Sequence, residues 1–348
     1  MDTNQELLME RFLQRIPDPS TVRLVRVSPE FPPELNPFAP DGIVIRAAGV
    51  PGEAQHSKWI IARAAIGTGI ALEHINRDTR IIEATSGNTG EAMAKICNAL
   101  DLDFTAVMSS DVPHDKIDAI RTIGRRTKVH LLSDADETTV AYARRLGAQD
   151  GWYNPCQYDR AWNWQAHRQH LAPQLWSRAG RMSLLFVPGG TMGTSMGLAA
   201  YACTDASLKP TVIPVLCAEG EEIPGARTLA SVKKDVRQPW SLFFKEEALQ
   251  FGSRHESFLL SFLTWPFVMP HLGPSFGLGI AGAFRFLRRH KSAGTLDQFK
   301  DREDGKIQVV VFGPDDCRPY LSLYLGELKK KELSVVSPPS DLLSVLDT

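Results

Sequence analysis

Short apolar, β-rich runs alternate with helical patterns along most of this chain, and that alternation sets what it can fold into. Seven such runs stand at 42–48 (GIVIRAA), 80–85 (RIIEAT), 103–110 (DFTAVMSS), 128–133 (KVHLLS), 183–189 (SLLFVPG), 211–218 (TVIPVLCA) and 306–313 (KIQVVVFG). Between them, residues 59–74, 91–100, 114–123, 136–146, 164–179, 192–203 and 278–290 carry helical periodicity. In the second of these, Ala92, Met93, Ile96, Cys97 and Leu100 form one apolar stripe. Strands separated by helices pair in parallel, because the crossover returns the chain to the same end of the sheet. The predicted class is therefore α/β, with open, mostly parallel twisted sheets. The 348 residues suit two lobes at roughly 150 residues per domain. Gly/Pro punctuation near 147–155 and 188–190 marks passages between them. The expected division is a smaller lobe over 56–150 and a larger one combining 1–55 with 151–348.

Composition removes several function classes. Lys and Arg number 39 against 40 Asp and Glu, a net charge of −1, so no electrostatic footprint for nucleic acid or an anionic membrane is present. Cys97, Cys156, Cys203, Cys217 and Cys317 contain no C-x-x-C pair and read as small buried hydrophobes in a reducing compartment. Asp2, Glu6, Glu10 and Arg11 stand where a signal peptide needs an apolar core. The most apolar stretch, Phe258 to Pro270, is too short to span a bilayer and reads as a buried segment, a site wall or a subunit contact. A cytoplasmic protein is expected, with the polar C-terminal tail as a solvated or loosely docked end. No metal site is predicted: His167 and His170 lack a carboxylate-rich partner motif and read as a helix surface. Asp315 and Asp316 read as a turn and helix cap, and Trp152, Trp162, Trp164 and Trp176 as core or interface packing.

Two strand-to-helix turns carry chemistry. In EATSGNTGEAMAK, residues 83–95, a strand runs into Thr85, Ser86, Gly87, Asn88, Thr89 and Gly90 before a helix starts. Hydroxyls, an amide and main-chain N–H groups at a helix N-terminus suit an anion such as a carboxylate. A capped glycine-rich turn with no ligand is the alternative. In LLFVPGGTMGTSMGLAAY, residues 184–201, Gly189, Gly190 and Thr191 repeat the arrangement. That loop suits a phosphate, although a tight turn with close helix packing would use the same residues. It is neither a Walker A loop nor a G-x-G-x-x-G fingerprint.

Together these loops resemble the tryptophan-synthase-like, fold type II family of pyridoxal-phosphate enzymes, in particular its cysteine synthase branch. TSGNTG stands at 85–90, and Lys58 lies thirty residues before Asn88, the family's separation between Schiff-base lysine and cofactor-facing asparagine. QYDRAWNWQAH (157–167) is similar to the family's Q-[FY]-x-N-P-x-N-x-x-x-H stretch at Gln157, Tyr158, Asn163 and His167. PGGT (188–191) matches the phosphate loop, GPSFG (273–277) resembles the segment whose serine faces the pyridine nitrogen, and EGEEIPGARTL (219–229) resembles a run found in some members. Four segments depart from the pattern: HSKWII at the lysine, AAGVPGEAQ upstream of it, Val187-Pro188 before the phosphate glycines, and residues 230–272, which show little likeness to the family.

The resemblance implies pyridoxal 5′-phosphate in a cleft between the lobes. Lys58, Asn88, Gly189, Gly190, Thr191 and Ser275 would bind it, with Lys58 catalytic. Thr85, Ser86, Thr89 and Gln157 would hold the amino-acid carboxylate. The implied reaction is β-replacement on an activated L-serine, such as O-acetyl- or O-phosphoserine, through an aminoacrylate and with a second, nucleophilic substrate. Elimination of the serine/threonine dehydratase kind is one alternative, and a non-catalytic cofactor- or partner-binding paralogue is another. A neutral Ser275 would leave the pyridine nitrogen unprotonated. A homodimer is expected from the resemblance alone.

Overall fold

The computed structural model describes residues 3–50, 57–112, 114–133, 137–204, 210–268 and 271–329. His56, most of AAGVPGEAQ, the expected helix start at Asp136 and the tail from residue 330 lie outside the described residues. Along the chain the elements run α1 (Thr3–Arg15), β1 (Arg26–Glu30), β2 (Ile43–Gly49), α2 (Ser57–Ala71), β3 (Arg80–Ala84), α3 (Asn88–Leu100), β4 (Asp103–Ser109), α4 (His114–Arg121), β5 (Thr127–Leu132), α5 (Thr139–Gly147) and β6 (Trp152–Tyr153). Then follow α6 (Trp162–Ala166), α7 (Ala172–Ala179), β7 (Leu184–Pro188), α8 (Gly193–Ala202), β8 (Thr211–Cys217), α9 (Leu229–Asp235), β9 (Gln250–Gly252), α10 (Arg254–Thr264), α11 (Pro274–Ser292), β10 (Ile307–Gly313) and α12 (Leu321–Lys329). One π-helical turn, His167–Leu171, joins α6 to α7.

The chain divides into two compact units, Met1–Arg23 with Ser57–Ala166, and Leu24–His56 with His167–Thr348. The first unit therefore takes in α1 and the segment through residue 166, which sequence reasoning had placed with the larger lobe. Burial accounts for α1: Leu8, Phe12 and Ile16 join a core with Ile61, Ala65, Ile66, Met93 and Ile96. The buried Gln5 amide donates to the carbonyls of Ile70 (2.6 Å) and Ile75 (2.9 Å), pinning the helix in register. The sheet of this unit has the order β5-β4-β3-β6, parallel throughout. Residues of α2 are apolar almost all round, and nine of its fifteen are buried, the pattern of a helix covered on several sides.

The second unit holds a six-stranded sheet, β1-β2-β10-β7-β8-β9, parallel except for the antiparallel edge strand β1. Its central strands are buried along nearly their whole length, because helices lie on the faces of a parallel sheet. Helix α10 occupies most of the apolar stretch noted in the sequence. It starts in a capping box of Ser253 and Glu256 and buries Phe258, Leu259, Leu260 and Leu263. Of the five cysteines, Cys203 departs from the buried expectation and is exposed, since it sits just past the end of α8.

Helices α10 and α11 cross at a glycine. A Cβ on Gly277 would stand 1.9 Å from the Ser257 carbonyl oxygen and 2.7 Å from the Ser261 nitrogen, whereas one on Gly326 of α12 would meet nothing within 4 Å. Gly277→Ala is expected to destabilise by about 1–3 kcal/mol through overpacking, visible as a lowered Tm. Gly326→Ala should leave Tm unchanged or slightly raised, and equal effects of the two would contradict this packing.

Candidate active site

In the first unit, β3 ends at Ala84 and the chain turns through Thr85–Gly87 into α3. Gly87 lies at φ 146°, ψ −90°, a conformation open to glycine and strained for residues with a Cβ. Thr85 Oγ1 accepts from the N–H groups of both Gly87 (3.1 Å) and Gly90 (2.9 Å). Its oxygen thus shapes the turn from inside. Thr89 Oγ1 donates to Gln157 Oε1 (3.0 Å), while Gln157 Nε2 donates to the Ala84 carbonyl (3.0 Å). One amide therefore ties the strand end to the first turn of α3. Asn163 Nδ2 donates to the Gln157 carbonyl at 2.7 Å and holds that residue from behind. Ser86 is exposed on the turn and Asn88 half-buried at the start of α3. Lys58 is half-buried in the first turn of α2, flanked by buried Ser57 and Trp59. So Thr85, Thr89 and Gln157, separated by up to 72 residues, are brought together by direct hydrogen bonds and their shared turn.

Sequence reasoning missed two neighbours of this turn. Lys116 is buried, its Nζ 3.4 Å from where a Cβ of Gly87 would stand. Glu83 is fully buried on β3, and no hydrogen bond of standard geometry reaches either carboxylate oxygen. Burial pushes its pKa from 4.5 up to about 8, against the opposing pull of the Gln157 and Cys156 main-chain N–H groups.

In the second unit, β7 runs into the Pro188–Thr191 loop and then α8, with Met192 left-handed at the helix cap. Pro188 has no N–H, and the Gly189 N–H donates to the Val215 carbonyl at 2.8 Å. Donors for an anion thus begin at Gly190; Gly189 contributes space. A Cβ on Gly189 would collide with Leu216 at 2.4 Å, and one on Gly190 with the Gly225 carbonyl oxygen at 2.5 Å. The EGEEIPGARTL segment (219–229) packs against this loop, and the Arg227 N–H donates to the Gly189 carbonyl at 3.0 Å. The buried Gln238 amide donates to the Thr191 carbonyl at 3.2 Å.

Two residues read as ordinary surface features prove to be buried parts of this region. His167 is completely buried, and its Nε2 lies 3.1 Å from Thr194 Oγ1 in the first turn of α8. His167 continues the buried face of α6, four residues after buried Asn163, and opens the π-helical turn. Asp315 is buried and accepts the Ser275 hydroxyl at 2.9 Å, whereas Asp316 does serve its turn by accepting from the Arg318 N–H at 2.8 Å. Among the described residues, no group of three or more His, Cys, Asp or Glu could hold a metal ion. No described helix is long and apolar enough to cross a membrane.

The model of the family described as "pyridoxal-phosphate dependent enzyme" matches residues 57–256. The chain belongs to that family. It is 33% identical over 135 residues to cysteine synthase B of Campylobacter jejuni, covering 36% of this chain and 42% of that one. Against cysteine synthase B of Escherichia coli K12 it is 26% identical over 244 residues, covering 68% and 77%. Several of its curated matches are partial, spanning 33%, 42% and 38% of the relative's length. The fold is that of a crystal structure of O-ureido-L-serine synthase, with a TM-score of 0.69 at 17% identity over 96% of this chain and 98% of that one.

The residues present fit the family's cofactor. Gly189 and Gly190 leave the loop before α8 without side chains at two successive positions, each packed too closely to accept one, and donors for a ligand begin at the Gly190 N–H. That is a cradle for a phosphate at a helix N-terminus.

Glu83 yields a pH signature for the first unit. Between about 5 and 8 the native carboxyl keeps a proton that the unfolded chain releases, so stability falls as pH rises through this window. Glu83→Gln should raise the urea midpoint at pH 8 more than at pH 5 and flatten the profile. Parallel profiles for the two proteins would show that Glu83 does not titrate in this way.

Proposed function

We propose that this chain catalyses β-replacement on an activated L-serine, such as an O-acetyl or O-phospho ester, using pyridoxal 5′-phosphate and a second, nucleophilic substrate. The observation that carries the reading is the turn at Thr85–Gly90, locked by Thr89 and Gln157 at the start of α3. A helix N-terminus with exposed Ser86 and a glycine main chain suits an amino-acid carboxylate. The match to cysteine synthases supports the same substrate class, since cysteine is a serine-derived amino acid changed at its β-carbon.

When bound, the cofactor withdraws electrons from the substrate α-carbon, so that the α-proton can be removed and a β-substituent can leave. Residues of the chain do the rest. Lys58 would carry the cofactor, and its Nζ would take the α-proton once released. Lys58 is half-buried in the first turn of α2, and an amine can serve both as Schiff-base partner and as proton acceptor. Asn88 would bond the cofactor's ring oxygen, Gly190 and Thr191 its phosphate, and Ser275 its ring nitrogen. Gly189 would give the phosphate room to approach, and Thr85 would keep the carboxylate turn in shape. Ser86, Thr89 and Gln157 would face the carboxylate. A homodimer in the cytoplasm belongs to this reading through the family resemblance.

A second reading, a non-catalytic binder, draws on the phosphate loop, where Pro188 and Gly189 together supply no donor. Product analysis separates the readings. Protein loaded with cofactor and given O-acetyl- or O-phospho-L-serine with sulfide, an amine or a second amino acid should form a new β-substituted amino acid faster than pyruvate. Pyruvate alone with every nucleophile would indicate elimination. Neither product, with cofactor bound, would indicate the binder.

A further inference from the structure

Ser275 stands in the first turn of α11, 3% exposed, and its hydroxyl donates to Asp315 Oδ1 at 2.9 Å. Asp315, 5% exposed just after β10, accepts the Tyr320 hydroxyl on Oδ2. The two segments are fastened to each other. The Gly273 N–H donates to the Asp315 carbonyl at 3.0 Å, and a Cβ on Gly273 would stand 2.9 Å from Asp315 Oδ1. The end of β10 also pairs alongside β2 and β7, so this cluster lies at the same strand ends as the Pro188–Thr191 loop. One turn further along α11, a Cβ on Gly279 would touch Pro188 at 3.8 Å.

A serine hydroxyl has one proton and two acceptor sites, and a carboxylate only accepts. The Ser275 proton is therefore committed to Asp315. Toward any other group it faces, Ser275 can offer lone pairs alone.

We propose that Asp315 turns Ser275 into a hydrogen-bond acceptor, so that the cofactor's ring nitrogen is held with its proton on. This rests on the placement of Ser275 at that nitrogen in the proposed function, and it reverses what a lone neutral serine implies. The proton stays on nitrogen. Ring N–H donates to Ser275 Oγ, Ser275 O–H donates to Asp315 Oδ1, and Tyr320 O–H donates to Oδ2. The carboxylate at the end of this chain favours a cationic ring over a neutral one. Asp315 is a positioning residue here, acting through Ser275. A protonated ring draws electrons from the α-carbon more strongly, which widens the substrate class to serine derivatives with poorer leaving groups than esters.

The test is the ¹⁵N NMR signal of ring-labelled pyridoxal phosphate bound to the resting protein, with no substrate and no turnover. The wild-type resonance should lie at the upfield, protonated position. In Asp315→Leu the freed Ser275 proton should be donated to the ring, moving the resonance downfield to the unprotonated position. In Tyr320→Phe, which keeps the Ser275–Asp315 bond, it should stay upfield. An unprotonated wild-type signal overturns the proposal, and so does an unchanged signal in Asp315→Leu or an equal move in Tyr320→Phe, which would reflect loosened packing. If the variants fail to fold, the wild-type signal decides by itself. Protein that retains no cofactor would instead overturn the functional reading on which this one rests.

Discussion

Parallel pairing is the constraint from which the rest follows. Parallel strands cannot be joined by a tight turn, so each needs a crossover, and their carboxyl ends gather at one edge of the sheet. Each unit of this chain has one strand whose carboxyl end opens into bare main chain before a helix. In the first unit it is β3, in the second β7. The glycines at both ends are required by space. Gly90 packs on Thr85, Gly189 on Leu216 and Gly190 on the Gly225 carbonyl, all at distances no side chain tolerates. A helix N-terminus left uncovered in this way presents N–H groups, and anions are what it can bind.

Holding such turns open takes a layer of buried polar residues behind them. Gln157 spans Ala84 and Thr89, His167 meets Thr194, Gln238 supports the Thr191 carbonyl and Asp315 takes the hydroxyls of Ser275 and Tyr320. Each is nearly or fully buried, where a hydrogen bond is stronger and an unmade one more costly. These residues fix the turns without facing solvent, so a substitution among them removes support from a turn and costs its buried partner a hydrogen bond.

The fold was legible where burial is continuous. Strands β2, β3, β4, β7, β8 and β10 fall on the apolar runs, because a parallel strand covered on both faces shows no alternation. The edge strand β5, by contrast, is largely exposed and was legible from its β-rich residues alone. The elements that stayed hidden have weak local signals. Strand β1 reads RVSPE, polar and proline-bearing at a sheet edge, and β6 and β9 are two and three residues long. Helix α1 is polar on average and declares itself only once Leu8 and Phe12 find their core. At the candidate site, Thr85, Thr89, Gly189 and Gly190 were marked by glycine and hydroxyl spacing. His167 and Asp315 were not, since what gives each its place is a partner 27 or 40 residues away. Local patterns of helix surface and turn describe such residues only until tertiary contacts override them.

Borohydride reduction of the purified protein followed by peptide mapping decides whether this chain is a working member of the pyridoxal-phosphate family with Lys58 as its anchor. The protein should show a visible absorption band, lost on reduction, with the cofactor's mass recovered on the peptide that contains Lys58. A protein that stays colourless in excess cofactor, or a label recovered on any other lysine, would contradict that assignment.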